Sequence, residues 1–192
     1  MPAEPGVSRH LVARAPTRID FGGGWTDVPP YDVEQGGFVC NVAIARYATA
    51  TLVDGGPDAA TGEGSDLARA ALRRLGPAGA RLTLAADFPT GAGLGGSSAA
   101  GVAALGACLA WRAERLEPAA LAETSRLLEV EDLAVAGGRQ DHYAAAYGGA
   151  LALHFTDRVT PNPIPLAADV VAALERRCVV VYTGASRISG AT

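Results

Sequence analysis

The stretch that most constrains this chain is "SAAGVAALGACLAWRAERL", beginning at Ser98. It carries no charge before Arg112. A helix that is apolar on every side has to be surrounded by protein, and no apolar run here is long enough to span a bilayer. Immediately before the helix stands "PTGAGLGGSSAAG", Pro89 to Gly101, with five glycines and two adjacent serines. Before that, "ARLTLAADF" alternates as a strand does. Strand, glycine loop and buried helix come in the order that brings main-chain N–H groups against an anion. Glycine permits close approach and left-handed backbone. The helix start adds free N–H groups and about half a positive charge. Ser97 and Ser98 stand where the helix begins, placed to cap it, to meet phosphate oxygens or to ligate Mg²⁺.

Two other readings of the loop stand beside this one. It could be a tight turn with a serine cap and no ligand. Gly91, Gly93 and Gly96 also satisfy G-x-G-x-x-G. Dinucleotide binding, however, requires a second strand ending in an acidic residue about 20 positions on, and here another helix follows Trp111.

What is missing narrows the chemistry. All 16 basic residues are arginine, and there is no lysine. Walker-A nucleotide enzymes, Schiff-base enzymes and Ser-x-x-Lys hydrolases are excluded, because each needs a lysine amine. A bound phosphate would have to rest on main chain, a helix start, arginine or a metal. The net charge of -4 argues against a nucleic-acid or membrane-surface protein. The start of the chain lacks the order of a signal peptide. Cys40, Cys108 and Cys178 are too far apart for a zinc site or a disulfide framework, so three reduced, mostly buried thiols in a cytoplasmic protein are expected.

Elsewhere "VSRHLVARAP" reads as a first strand, "FGGGWTDVPPY" as a turn-rich loop, and "GFVCNVAIARYATATLV" as a strand pair or one long bent strand. "DGGPDAATGEG" reads as a surface loop. "SDLARAALRRL" is a short helix with a serine cap, and Pro118 opens the helix "PAALAETSRLLEVEDLAV". "GGRQDHYAAAYGG" is a helical turn, "GALALHF" a strand, "TDRVTPNPIPL" a loop, "DVVAALERR" a helical piece and "CVVVYTG" a last strand. The class is α+β. The closing "ASRISGAT" reads as an interruption or a frayed tail.

"PTGAGLGGSSAA" resembles the phosphate loop of the GHMP kinases. "APTRIDFGGGWTDVPPY" resembles the sugar-binding signature of the sugar-kinase branch, and "GGRQDHYAAAYGGAL" resembles the segment carrying its catalytic aspartate. The wording is nearest to the bacterial kinases of fucose and of heptose 7-phosphate. The resemblance runs from about Arg14 to Ser186. It implies a ribosomal protein S5 domain 2-like N-terminal domain over 1–186, with 187–192 opening a linker to a C-terminal ferredoxin-like domain that is missing.

The same resemblance implies roles. Asp141 takes or orients the hydroxyl proton, and Arg18 stabilises the reacting oxygen or the phosphoryl group. Asp27 accepts hydrogen bonds from sugar hydroxyls. Trp25 and Gly24 belong to the sugar signature, with Trp25 standing where galactokinase-like members have His. Gln140 and His142 flank Asp141, to orient it or touch sugar. ATP is held by Pro89, Gly91, Gly93, Leu94, Gly95, Gly96, Ser97, Ser98 and Ala99. Mg²⁺ is held by Ser98 or Ser97 and by Glu131, with Glu129 as the alternative. Gly96 stands where relatives commonly carry a third serine. The partners expected are ATP and a sugar or sugar phosphate, with a homo-oligomer or a completing chain if the second domain is lacking. A half-enzyme that binds without turnover, and a structural S5-like domain without ligand, are the competing readings.

Overall fold

The computed structural model describes residues 9–55, 64–135 and 137–186. Most of the loop "DGGPDAATGEG" and the linker 187–192 lie outside the described residues. The described elements run β1 His10–Gly22, α1 Tyr31–Glu34, β2 Gly37–Asp54, α2 Ser65–Leu75, β3 Ala80–Ala86, α3 Gly96–Trp111, α4 Pro118–Leu127, a π-helical turn Leu128–Asp132, α5 Gln140–Tyr147, β4 Ala150–Phe155, β5 Val159–Ile164 and α6 Ala168–Arg177.

The five strands form one antiparallel sheet. β2 is a single 18-residue strand and its axis. β1 pairs along one edge of it, while the other edge is shared: Gly37–Val42 pair with β4 and Ala48–Asp54 with β3. Between these halves the register jumps, Pro16 facing Tyr47 but Thr17 facing Ile44. The Thr17 hydroxyl donates to the Arg46 carbonyl at 3.0 Å and fixes this bulge. Facing changes with it. Ala15, Ala48, Ala50 and Leu52 pack under the helices on one side of the bulge. Arg18 and Asp20 turn the same way on the other side, to meet α5. Bulges commonly re-aim side chains beside functional sites.

α3 is the buried helix the sequence demanded, and ten of its 16 residues are buried. It lies on β1 and β2 and is flanked by α2, α4 and α5. Its small residues allow close approach: a Cβ added at Gly101 would stand 2.6 Å from the Ser125 hydroxyl on α4.

Four local expectations are corrected. Residue 64, a glycine at φ 78°, is the N-cap of α2, and Ser65 lies within the helix. Val159–Ile164 is a strand and not a loop. Pro161 and Pro163 are tolerated because β5 pairs only with β4, so its outer edge has no ladder bond to lose. Residues 178–184 form no strand: Val179 is 83% exposed and Val181 77%, with no strand paired to them among the described residues. The cysteines are free, but only Cys108 is buried, its thiol pushed up to about 11 by burial, whereas Cys178 is exposed. Among the described residues no helix is long and apolar enough to cross a membrane. On the sheet face away from α3, α6 and the segment after it enclose a mainly apolar cavity of about 1030 Å³.

Candidate active site

The glycine loop leaves β3 and enters α3 at Gly95, the N-cap, with φ 74°. A side chain there would be strained and would also press on Asp141, whose Cγ lies 3.0 Å from the position of a Cβ. A Cβ at Gly96 would come 2.5 Å from the Phe88 ring, which accounts for glycine where the resemblance puts serine. Neither Ser97 nor Ser98 caps the helix. The first bond of the helix runs from Ala99 N–H to the Gly95 carbonyl at 3.0 Å. Both hydroxyls are thereby left for other partners.

β1 holds this loop from the side. Arg18 N–H donates to the Leu94 carbonyl at 3.1 Å and Arg18 Nη1 to the Gly93 carbonyl at 2.8 Å. The same guanidinium reaches Asp20 Oδ1 through Nε at 3.1 Å and Asp141 Oδ1 through Nη2 at 2.6 Å. One nearly buried cation thus joins β1, the loop and the first turn of α5. Burial holds the Asp141 carboxyl above the ordinary aspartate range; Arg18 and His142 pull it down, and Asp27 and Glu129 push it further up. Asp20 is raised for the same reason, burial first, with Arg18 opposing and Asp141 and Asp27 adding.

Asp27 is buried, and its Oδ2 accepts the Gln140 N–H at 2.9 Å. Gly138 lies so close that a Cβ there would collide with the Asp27 carboxylate. The Gln140 amide sits between Asp27 and Asp20, and its better orientation donates to Asp20 Oδ1 and Oδ2 at 2.9 and 3.2 Å. Asp27 and Gln140 therefore support each other from inside. Asp20 stands at the surface of the cluster. Gly24 lies over it, 3.7 Å from the position of its Cβ to Asp20 Oδ2. Trp25 follows at φ 73° and is 58% exposed, at the rim.

The structure separates the two glutamates. Glu131 points to α2, where Arg74 Nη2 meets it at 2.8 Å and Arg74 Nε meets Asp132 at 3.0 Å. It is not brought to the loop. Glu129 is buried, with His142 Nε2 3.4 Å from its Oε2 and Ser97 and Ser98 beside its carboxylate. Burial would raise its pKa, but the neighbouring His142, with Ser97 and Ser98, more than offsets this and holds it below the ordinary glutamate value. Its Oε1 is buried without a hydrogen-bond partner. His142 is buried behind the loop. A signal for Glu129 exists in the sequence, since Ala122, Ser125 and Glu129 recur at helical spacing on one buried face.

The apolar cavity shares Pro89, Ala92 and Leu94 with the loop but none of the charged cluster. Carboxylates, an arginine and serine hydroxyls converge at the cluster, the pattern expected of a reactive site.

Comparison with known proteins follows the same lines. The family model described as "GHMP kinases N terminal domain" matches residues 65–149. The chain is 30% identical to D-glycero-alpha-D-manno-heptose 7-phosphate kinase of Campylobacter jejuni, over 93% of this chain and 61% of that protein. It is 26% identical to the bifunctional fucokinase/GDP-fucose pyrophosphorylase of Arabidopsis thaliana, over 94% of this chain and 21% of that one. Among solved structures, a D-glycero-D-manno-heptose 1-phosphate kinase from Bacteroides thetaiotaomicron superposes with a TM-score of 0.76 at 31% identity, over 86% of this chain and 63% of that one. The chain thus spans about three fifths of the heptose kinases it matches. Sequence motifs, fold and relatives agree, and residues 65–149 match the N-terminal domain of the GHMP kinases.

Proposed function

We propose that this chain is the nucleotide- and sugar-binding part of an ATP-dependent sugar kinase. The group transferred is the γ-phosphoryl of ATP. The acceptor is a sugar hydroxyl, the anomeric one of a heptose 7-phosphate or of fucose. The observation that carries the reading is the Arg18 guanidinium, held between the Gly93 carbonyl and the carboxylates of Asp20 and Asp141. It couples a loop suited to phosphate with a carboxylate suited to a proton.

In this reading the main chain from Pro89 to Ala99 cradles the triphosphate without any lysine. Asp141 accepts the proton of the sugar hydroxyl, and its raised carboxyl makes it a better base than a free aspartate. The hydroxyl oxygen bonds to the γ-phosphorus, the bond from that phosphorus to the bridging oxygen breaks, and ADP leaves. Arg18 supplies fixed positive charge beside the proton acceptor. Asp20, backed by Gln140 and Asp27, receives sugar hydroxyls, while Trp25 and Gly24 form the rim against which a sugar ring rests. Glu129 and the hydroxyls of Ser97 and Ser98 are hard oxygen donors that suit Mg²⁺, and the unpartnered Glu129 Oε1 is the atom left to bind it. Bound with ATP, Mg²⁺ would neutralise charge on the β- and γ-phosphates. A cytoplasmic location and the reading of residues 1–186 as one domain belong to the same proposal.

The test is ADP release with Mg²⁺-ATP and a panel of sugars and sugar phosphates. Asp141→Asn should remove turnover while nucleotide binding persists; unchanged turnover would dismiss Asp141 as the base. A second reading, a binding half that turns over only with a further domain or partner, is favoured by the exposed apolar run Val179–Tyr182. Nucleotide binding without ADP release from any sugar would select it.

A further inference from the structure

Behind the loop, four elements meet on one imidazole. His142 Nε2 lies 3.3 Å from Ser98 Oγ, at the start of α3, and 3.4 Å from Glu129 Oε2, on the π-helical turn. His142 Nδ1 lies 3.0 Å from Ser125 Oγ, on α4. All four side chains are buried, so these contacts replace water rather than compete with it. The donor inventory orders the protons. Ionised Glu129 only accepts, so Nε2 carries the hydrogen that faces Glu129 and Ser98. In the neutral ring Nδ1 then accepts, and the Ser125 hydroxyl donates to it. Ser125 cannot drift, because the bare main chain of Gly101 closes over it. One carboxylate oxygen of Glu129 is thus held by the imidazole, and the other is left without a partner.

We propose that His142 is a positioning residue that fixes Ser98 and Glu129 relative to each other as a preset pair of oxygen ligands for the divalent cation accompanying the nucleotide, and that Ser125 sets its tautomer. The inference rests on the kinase reading above. Groups that orient metal ligands from behind are typically worth about 10–100-fold in metal affinity. Gln places an amide near the Nε2 position, while Asn places one near Nδ1. His142→Gln keeps the link to Ser98 and Glu129; His142→Asn keeps only the link to Ser125.

The experiment is calorimetric titration of the whole chain with ADP, in MgCl₂ and in EDTA, with circular dichroism on every variant. For His142→Asn, the gain in ADP affinity on adding Mg²⁺ is expected to fall about tenfold or more, with affinity in EDTA unchanged. His142→Gln should stay within about threefold of wild type, and Ser125→Ala should fall between the two. Equal Mg²⁺ gains in wild type, His142→Asn and Ser125→Ala would overturn the proposal. So would a loss of affinity in Asn and Gln variants alike that is the same in EDTA as in MgCl₂. If His142→Asn does not fold, Ser125→Ala and His142→Gln decide by the same criteria. Failure of wild type to bind ADP in either buffer would instead refute the kinase reading itself.

Discussion

Asp141 carries a trade-off that can be measured without any substrate. Its carboxyl is raised above the ordinary value of 3.8, burial being the largest cause. The ionised form is therefore less favourable in the folded chain than in the unfolded one. Stability from this group is complete below 3.8 and is lost as pH rises through the raised value. Asp141→Asn abolishes that loss. The variant should melt at or above wild type at pH 7, and its advantage should shrink as pH falls toward 4. A variant less stable than wild type at pH 7, with a deficit that shrinks toward pH 4, would mean that the Arg18 ion pair outweighs burial. The two glutamates give a second comparison in the ADP-release assay. Glu129→Gln should lower turnover at least tenfold, while Glu131→Ala, which breaks an exposed pair with Arg74, should cost at most about 1 kcal/mol of stability and leave turnover within about twofold. The resemblance pointed to Asp141, Arg18 and the serines, because the glycine loop and the segment around Asp141 are contiguous words in the chain. It did not separate Glu129 from Glu131. That choice depends on which way a helix is turned when it reaches the loop, and the π-helical turn after α4 adds a rotation that counting residues does not contain.

Among the elements, α3 was the most legible, since a helix without a polar face has one solution. Its close packing gives a prediction in which two effects compete. Gly101→Ala gains about 1 kcal/mol of helix propensity but sets a methyl group 2.6 Å from the Ser125 hydroxyl. Overpacking of this kind costs typically about 1–3 kcal/mol. The net is expected to be destabilising in a denaturant melt; a more stable variant would show that α4 moves away freely. β5 was hidden for the opposite reason. Its two prolines are poor strand formers, and only the neighbouring β4, brought in by tertiary folding, makes them part of a sheet. The run after α6 was misread as a strand because its valines match the pattern, but a strand also needs a partner, which 178–184 lack.

On the scale of the molecule, the helices cover one face of the sheet, while α6 has no buried residue and the run after it exposes Val179 and Val181. Contiguous exposed apolar surface favours association. The chain should show concentration-dependent self-association by light scattering, and the double substitution Val179→Ser, Val181→Ser should reduce it. Unaltered scattering would place the sticky surface elsewhere. The α+β class could be read from the order of strands and helices, whereas the sharing of β2 between two partners could not, because no local pattern announces where a strand changes neighbours.

The bulge at 44–47 also limits how such a chain can be altered. Alternation along a strand has a period of two, so removing one residue there would exchange inside for outside along half of β2. Asn41 and Val39 would be thrown to the outer side, and their neighbours would take their places beneath α5. Most length changes in a protein are absorbed in a loop, but here one would have to be matched by rewriting every second position to the end of the strand. Surviving length variants should therefore gather at the hairpin ends of the sheet and avoid its centre.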